Sequence, residues 1–322
     1  MTKLEVRPFT DDHLEEAARL LARRHIRHRA AEPLLSGRFE GPVAALDELE
    51  RTWSVDGASG AVALRGGTMV GYLVGAPREN PIWGNNAWIE APGHALEEAE
   101  AVRDLYALAA TRWVEEGRTR HSVLVPAHDI RLLDAWWRLG FGQQHAYGIL
   151  EVPSETEITV PDGFEIRSPR EDEIDELIDI DLALPGHQRL SPVFSGAPLW
   201  SREESREEWV ETLAGNDEQI FIGSHDQRPV ACWAYVPPER SSEHRGLLRP
   251  DHSTFLGFAA TLPEFRGSGI GVALTDAGFA WAAEEGYPTM ITDWRVTNLL
   301  SSRFWPRRGF RPSFLRLYRS IP

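Results

Sequence analysis

The sequence has one cysteine, one lysine and no apolar run approaching the length of a membrane span. With Cys232 alone among 322 residues, an intramolecular disulfide and a cysteine-built zinc site are both excluded, and no metal is expected. Cys232 lies in the apolar run Val230–Val236, where a small core residue is expected rather than a catalytic thiol, because nothing adjacent would hold a thiolate. Stretches such as Leu20–Leu21 and Phe255–Ala260 fall far short of the roughly 20 apolar residues that cross a bilayer. Met1–Thr10 lacks the basic-then-apolar order of a secretory leader. The expectation is a soluble, cytoplasmic protein with no membrane partner. Positive charge is scarce too: 34 Lys and Arg against 49 Asp and Glu give a net −15. Phosphate repulsion over such a surface argues against nucleic acid as a partner. It leaves a cationic substrate, or solubility alone, as its meaning.

What the chain does contain is one pattern written twice. Trp113 to Phe141 carries an apolar run, Ser122-Val123-Leu124-Val125, a turn ending in Asp129, a helical stretch, and the string Trp136-Trp137-Arg138-Leu139-Gly140-Phe141. Trp281 to Phe310 repeats the order with Met290-Ile291-Thr292-Asp293-Trp294, a turn ending in Asn298, and Trp305-Pro306-Arg307-Arg308-Gly309-Phe310. Each half also opens with a strand-like segment, Glu5–Pro8 or Phe164–Arg167, followed by acidic residues suited to a helix N-terminus. Between them Pro153–Gly163 has no periodicity and reads as a linker. The expected organisation is a first domain over 1–152, a linker over 153–163 and a second domain over 164–322. Alternating strands and helices give each an α/β (α+β) layered fold, a mixed and mostly antiparallel sheet flanked by helices. In the second half, helices are expected over Glu171–Asp181, Arg202–Ala214, Gly269–Glu285 and Asn298–Arg307, with Pro185–Pro198 as a loop.

The chemistry concentrates where the strand Thr254–Thr261 runs through Leu262-Pro263-Glu264-Phe265 into Arg266-Gly267-Ser268-Gly269-Ile270-Gly271 and on into a helix. Glycines let the backbone turn tightly and come close to a ligand, and the first helical N–H groups point into the loop. This is an anion site, best matched to a diphosphate, with Arg266 bracing the loop or pairing with phosphate. A dinucleotide fingerprint is excluded because the sixth place counted from Gly267 is Val272. A P-loop is excluded because no lysine is available.

These residues resemble the GNAT superfamily of acyltransferases. The segment Thr261 to Gly271 is similar to its Val-x-Pro-x-x-Arg-Gly-x-Gly-Ile-Gly signature, with Thr261 at the usual valine, and Asn298 through Trp305 to Gly309-Phe310 is similar to its second signature. The resemblance covers the second half and, more weakly, the first, so the chain looks like a tandem GNAT protein. It implies acetyl-CoA or another acyl-CoA as co-substrate, with its phosphates on Arg266, Gly267, Ser268, Gly269, Ile270 and Gly271. It also implies a pantetheine arm along Ala259–Thr261 beside the splayed strand Thr289–Trp294, contacted by Asn298. The acceptor implied is an amine of a small molecule or peptide. In the first half the matching stretch, Leu96-Glu97-Glu98-Ala99-Glu100-Ala101-Val102, has three carboxylates and no glycine, so that copy is expected to be degenerate.

Amide formation needs a neutral amine, a base, oxyanion donors and often an acid for the leaving thiolate. Candidate bases are His252, beside Asp251, and Asp293 near a strand end. The family's usual tyrosine acid falls at Trp305, whose indole is a poor acid, which leaves Ser301, Ser302 or Tyr318, or unassisted departure. Arg303, Arg307, Arg308 and Arg311 form a basic group suited to a 3′-phosphate or to a solvated face. Alternative functions are a coenzyme A-binding pseudoenzyme and an interaction scaffold, and an oligomer is possible under each.

Overall fold

The computed structural model describes residues 3–79, 81–215 and 217–322. In chain order the elements are β1 (Leu4–Pro8), α1 (Leu14–Ala31), α2 (Pro42–Trp53), β2 (Ser59–Arg65), β3 (Thr68–Gly75), β4 (Asn86–Ile89), β5 (His94–Leu96), α3 (Ala101–Glu115), β6 (Arg120–Pro126), α4 (Ile130–Arg138) and β7 (Gly142–Glu151). They continue with β8 (Phe164–Arg167), α5 (Ile174–Gln188), α6 (Arg202–Ala214), β9 (Gln219–His225), β10 (Arg228–Val236), β11 (Ser253–Thr261), α7 (Ile270–Glu284), β12 (Thr289–Arg295), α8 (Ser301–Arg307) and β13 (Arg311–Ser320). No helix among the described residues is long and apolar enough to cross a membrane.

The chain forms two compact units. The first contains Met1–Tyr147, Gly246–Asp251 and Pro312–Pro322; the second contains Gly148–Arg245 and His252–Arg311. Most of the last strand thus lies in the first unit, because β13 pairs antiparallel with β6 from Phe314 opposite Pro126 to Ser320 opposite Arg120. Elsewhere in that unit β1, β2, β3 and β5 form an antiparallel sheet, and β4 runs parallel to β6. The second unit orders β8, β9, β10, β11 and β12, antiparallel except for the parallel pair β11 and β12. The fold is the layered α/β arrangement expected from the sequence.

The repeated Trp…Gly-Phe string is a helix-ending device. Gly140 and Gly309 take left-handed φ of 81° and 92°, conformations that only glycine adopts without strain. The N–H of Phe141 returns to Trp136 O at 3.3 Å and that of Phe310 to Trp305 O at 3.2 Å. Each phenylalanine then meets its tryptophan edge to face, at 4.8 Å and 5.6 Å between ring centroids. This is a Schellman closure with its hydrophobic contact, so Trp305 is held in the core rather than offered to a ligand.

In the second unit Leu177, Ile178 and Ile180 of α5 pack with Ile222, Val230, Cys232 and Leu262. Cys232 is fully buried there, and burial pushes its thiol well up, as a core cysteine requires. On the opposite sheet face α7 approaches at Gly278, where a Cβ would overlap the Tyr235 hydroxyl. One helix is longer than expected: α5 continues to Gln188, passing Pro185 in its last turn. Proline costs little there because the hydrogen bond it forgoes is a single one and its own carbonyl still accepts the Arg189 N–H at 3.1 Å.

The first unit buries an unusual number of imidazoles. Desolvation lowers His25 to about 4, His28 to about 2 and His94 to about 3 from an ordinary 6.5. The folded state therefore binds fewer protons than the unfolded chain below pH 6.5, so stability falls as pH falls through that window and is fully present above it. Urea unfolding followed at a series of pH values should show a continuous loss of stability between about pH 6.5 and 4, ahead of carboxylate titration. A flat profile across that range would contradict the buried, neutral histidines.

Candidate functional site

Strand β11 pairs with β12 over only three positions, Ser253 with Thr289, Thr254 with Met290 and Phe255 with Ile291. The Thr292 hydroxyl donates to Leu256 O at 3.0 Å, and beyond that link the two strands part. β11 continues to Thr261 bonded to β10 alone, with Ala259 opposite Trp233 and Thr261 opposite Ala231. Gly257, Phe258, Ala259 and Thr261 are accordingly exposed or half-buried inside a sheet-forming segment. An open strand edge of this kind presents unpaired backbone groups to any extended ligand.

The edge leads directly into the glycine loop. Leu262 N–H is fixed on Val230 O at 2.9 Å, and Arg266 Nε donates to Thr261 O at 3.2 Å. Arg266 is therefore a brace, and partial burial lowers its pKa. Gly267 and Gly269 have φ of 82° and 94°, the left-handed region where a side chain is strained. Gly269 is the N-cap of α7, and a Cβ on it would stand 3.2 Å from Pro161 Cγ. Among the described residues the amides of Gly267, Gly269 and Gly271 have no hydrogen-bond partner. The first turn of α7 is held against the sheet by Thr275, whose hydroxyl donates to Gly271 O at 2.8 Å and accepts the Trp233 indole N–H at 3.2 Å. Free amides at the start of a 15-residue helix, on glycines that carry no side chain of their own, have the geometry of an anion cradle.

The counterpart loop in the first unit is built differently. Glu97 pairs with Arg23 at 3.0 Å, Glu98 with Arg65 at 2.6 Å and Glu100 with Arg138 at 2.6 Å. Its carboxylates serve local ion pairs, and α3 begins without a glycine cradle.

Of the two candidate bases, the structure brings only Asp293 toward the fork. It lies half-buried on β12, two residues beyond the last pairing with β11. His252 is exposed, has a left-handed φ of 50°, and precedes β11 at the end away from the loop. Nine residues of strand at about 3.3 Å each put it roughly 30 Å from the glycines. The sequence suggested His252 because of its neighbour Asp251, but strand direction sends the ring toward Tyr287, 6.5 Å between centroids.

Asn298 is buried, and its Oδ1 accepts the Leu300 N–H at 3.1 Å, shaping the turn into α8. The same oxygen lies 3.3 Å from His187 Nε2 at the end of α5. Because Leu300 fixes which Asn298 atom is the oxygen, His187 must donate from Nε2, which leaves Nδ1 as its basic nitrogen. Arg295 Nε donates to Gln188 Oε1 at 3.1 Å and ties the same two segments a second time. His187 falls in the stretch Pro185–Pro198 that the sequence predicts as a loop. Nothing in its local sequence signals the 111-residue link to Asn298.

The other candidates scatter. Trp305 is buried between Phe304 and Phe310, and Tyr318 belongs to the first unit, opposite Ser122. Ser301 and Ser302 are half-buried at the start of α8. Arg308 is engaged by Asp276, which removes it from the basic group, while Arg303 and Arg307 are exposed. The stretch expected as a linker is not idle. Ile158 and Val160 line a groove of about 670 Å³ with Phe164, Phe221, Ala277 and Trp281, beside the Pro161 that abuts Gly269. Among the described residues no group of three or more His, Cys, Asp or Glu is arranged to hold a metal.

Comparison with known proteins agrees with this geometry. Residues 186–310 match the family model described as Acetyltransferase (GNAT) family, a span that contains His187, the fork, the loop and Asn298. A mycothiol acetyltransferase from Acidimicrobium ferrooxidans is 29% identical over 261 residues, 78% of this chain and 77% of that protein. The crystal structure of a GCN5-related N-acetyltransferase from Sphaerobacter thermophilus has the same fold, with a TM-score of 0.58 at 12% identity, covering 98% of this chain and 95% of that one. A tandem GNAT protein from the clavulanic acid biosynthesis pathway covers 99% of each chain with a TM-score of 0.50 and 15% identity. Residues 186–310 thus match the GNAT acetyltransferase family, and over its whole length the chain shares its fold with a tandem GNAT protein.

Proposed function

We propose that the second unit is an acyl-CoA-dependent N-acetyltransferase, with acetyl-CoA as donor and an amine of a small molecule as acceptor. The observation that carries this reading is the juxtaposition of the open β11 edge with the unpartnered amides of Gly267, Gly269 and Gly271. The loop fits a diphosphate, since its amides converge at a helix N-terminus and a Cβ at either left-handed glycine would spoil the turn. Gly267 to Gly271 would hold that diphosphate, with Arg266 as brace, and the backbone from Gly257 to Thr261 would hold the extended arm. Bound acetyl-CoA would supply the acyl group as an activated thioester.

Within this reading His187 takes the proton of the attacking amine at Nδ1, an assignment supported by the contact with Asn298 that orients the ring. Asp293, near the end of β12, is the carboxylate on the acceptor side, in keeping with a cationic amine. Backbone N–H groups of the uncovered β11 edge are the donors available to a developing oxyanion. The mycothiol acetyltransferase relative supports a small-molecule acceptor over a protein. The basic group of arginines, without Arg308, is left for a peripheral phosphate.

A second reading, a coenzyme A-binding protein without rapid turnover, is favoured by one observation. The position where a tyrosine acid is expected holds Trp305, committed to the helix closure.

Thermal unfolding with and without acetyl-CoA tests the cradle. A ligand-dependent rise of a few degrees is expected in the wild type, and its disappearance in Gly269→Glu, with the variant still folded. An unchanged rise in Gly269→Glu would move the cofactor site elsewhere. Thiol release measured over a panel of small amines tests turnover. In His187→Gln, kcat should drop by about 10²-fold or more, while the KM for acetyl-CoA stays within about twofold. Full activity in His187→Gln would remove it as the base, and no thiol release with any amine despite cofactor binding would favour the second reading.

A further inference from the structure

His187 stands on a turn of α5 that its own main chain holds poorly. The last four residues of the helix are Pro185, Gly186, His187 and Gln188. Pro185 has no N–H to return to the preceding turn, and Gly186 loses more backbone freedom on entering a helix than any other residue type. Immediately beyond, Arg189 N–H returns to Pro185 O and Leu190 N–H to His187 O, both at 3.1 Å, and the chain departs toward α6. A helix end of this composition frays unless something outside it holds it.

Gln188 is the junction through which it is held. Its Oε1 accepts from Arg295 Nε at 3.1 Å, and its main-chain O accepts the Ser195 N–H at 2.8 Å. Arg295 is the last residue of β12, and its O accepts the Asn298 N–H at 3.0 Å. The end of α5 and the turn after β12 are therefore joined by two side-chain links, Gln188 to Arg295 at 3.1 Å and His187 to Asn298 at 3.3 Å. The second is at the long end of hydrogen-bond range, too weak alone to fix an imidazole on a fraying turn. Gln188 and Arg295 are both half-buried, so the first link is partly withdrawn from competing water.

We propose that Gln188 and Arg295 are positioning residues, a clasp that holds the last turn of α5 against the end of β12 so that His187 Nε2 stays on Asn298. Neither residue acts on the reacting atoms; each acts through His187. The catalytic consequence rests on His187 being the base proposed above, whereas the clasp rests on geometry alone. Because the clasp compensates for a weak helix end, strengthening that end makes the clasp dispensable. Gly186 allows this: it is helical, without a left-handed φ, and a Cβ built on it meets nothing within 4 Å. Alanine fits there and favours the helix.

The test has an activity arm and an arm free of turnover, both on the full chain. Thiol release from acetyl-CoA is measured with the most active amine of the panel. In Gln188→Ala, kcat should fall by about 10-fold or more, while the KM for acetyl-CoA stays within about twofold. Gln188→Glu keeps an acceptor oxygen for Arg295 and should remain close to wild type. Adding Gly186→Ala to Gln188→Ala should recover most of the lost kcat. Adding Arg295→Ala to Gln188→Ala should cost little more than either change alone, since the two residues form one link. The second arm is the ¹⁵N spectrum of the His187 ring, assigned by its disappearance in His187→Gln, in mildly alkaline buffer where an imidazole is neutral. A single Nε2–H tautomer is expected in the wild type, a mixture in Gln188→Ala, and the single tautomer again once Gly186→Ala is added. Unchanged kcat together with an unchanged ring spectrum in Gln188→Ala would overturn the proposal. So would a loss that Gly186→Ala leaves in place, or one shared equally by kcat and the KM for acetyl-CoA, which marks general support of the fold. No thiol release with any amine, with tautomers that mix in Gln188→Ala and are restored by Gly186→Ala, would remove His187 as the base and leave the clasp standing.

Discussion

The left-handed backbone at Gly267 and Gly269 is the constraint around which the second unit is arranged. It turns the chain into α7 at the close of the eight-residue connection Leu262–Gly269, so that the helix starts with its free amides beside the strand edge that β12 has just abandoned. Each neighbouring feature keeps that turn in place. Arg266 holds Thr261, Thr275 and Trp233 hold Gly271, and Pro161 closes over Gly269. A side chain at either glycine would trade a favourable turn for strain and block close approach to a ligand. The fork and the loop are useful only together, because one offers an unpaired edge for an extended chain and the other an anchor for its charged end.

The two units show what duplication preserves and what it releases. The Schellman closures at Gly140 and Gly309 share the same hydrogen bond and the same edge-to-face ring contact, because a helix must end there in both copies. The forks diverge. In the second unit it stays open; in the first, Arg24 and His94 fill it and the loop that would follow is tied by ion pairs of Glu97, Glu98 and Glu100. The opening tryptophans diverge in the same sense. Trp113 is wholly buried and bonded to Ser59 Oγ at 2.8 Å, while Trp281 is half-exposed on the apolar groove beside α7.

Much of this was legible because it is local. A strand, a glycine loop and a helix follow one another in eleven residues from Thr261 to Gly271, and the helix-ending string is six residues long, so each appears intact in the sequence. The element order of the second half was readable from periodicity for the same reason. What escaped was long-range. The His187–Asn298 contact spans 111 residues, Pro161 meets Gly269 from a stretch that reads as linker, and Arg24 meets Ala91 and His94 across more than 60 residues of sequence. His252 misled for a related reason: an acidic neighbour in sequence is visible, whereas the direction of the strand that carries the ring away from the loop is not.

The account rests on one intact cradle per chain, and the most direct measurement is the stoichiometry of coenzyme A binding by isothermal titration calorimetry. One site per chain is predicted in the wild type, and none in Gly269→Glu. Two sites per chain, or a single site that survives Gly269→Glu unchanged, would contradict the division between an open second fork and a closed first one.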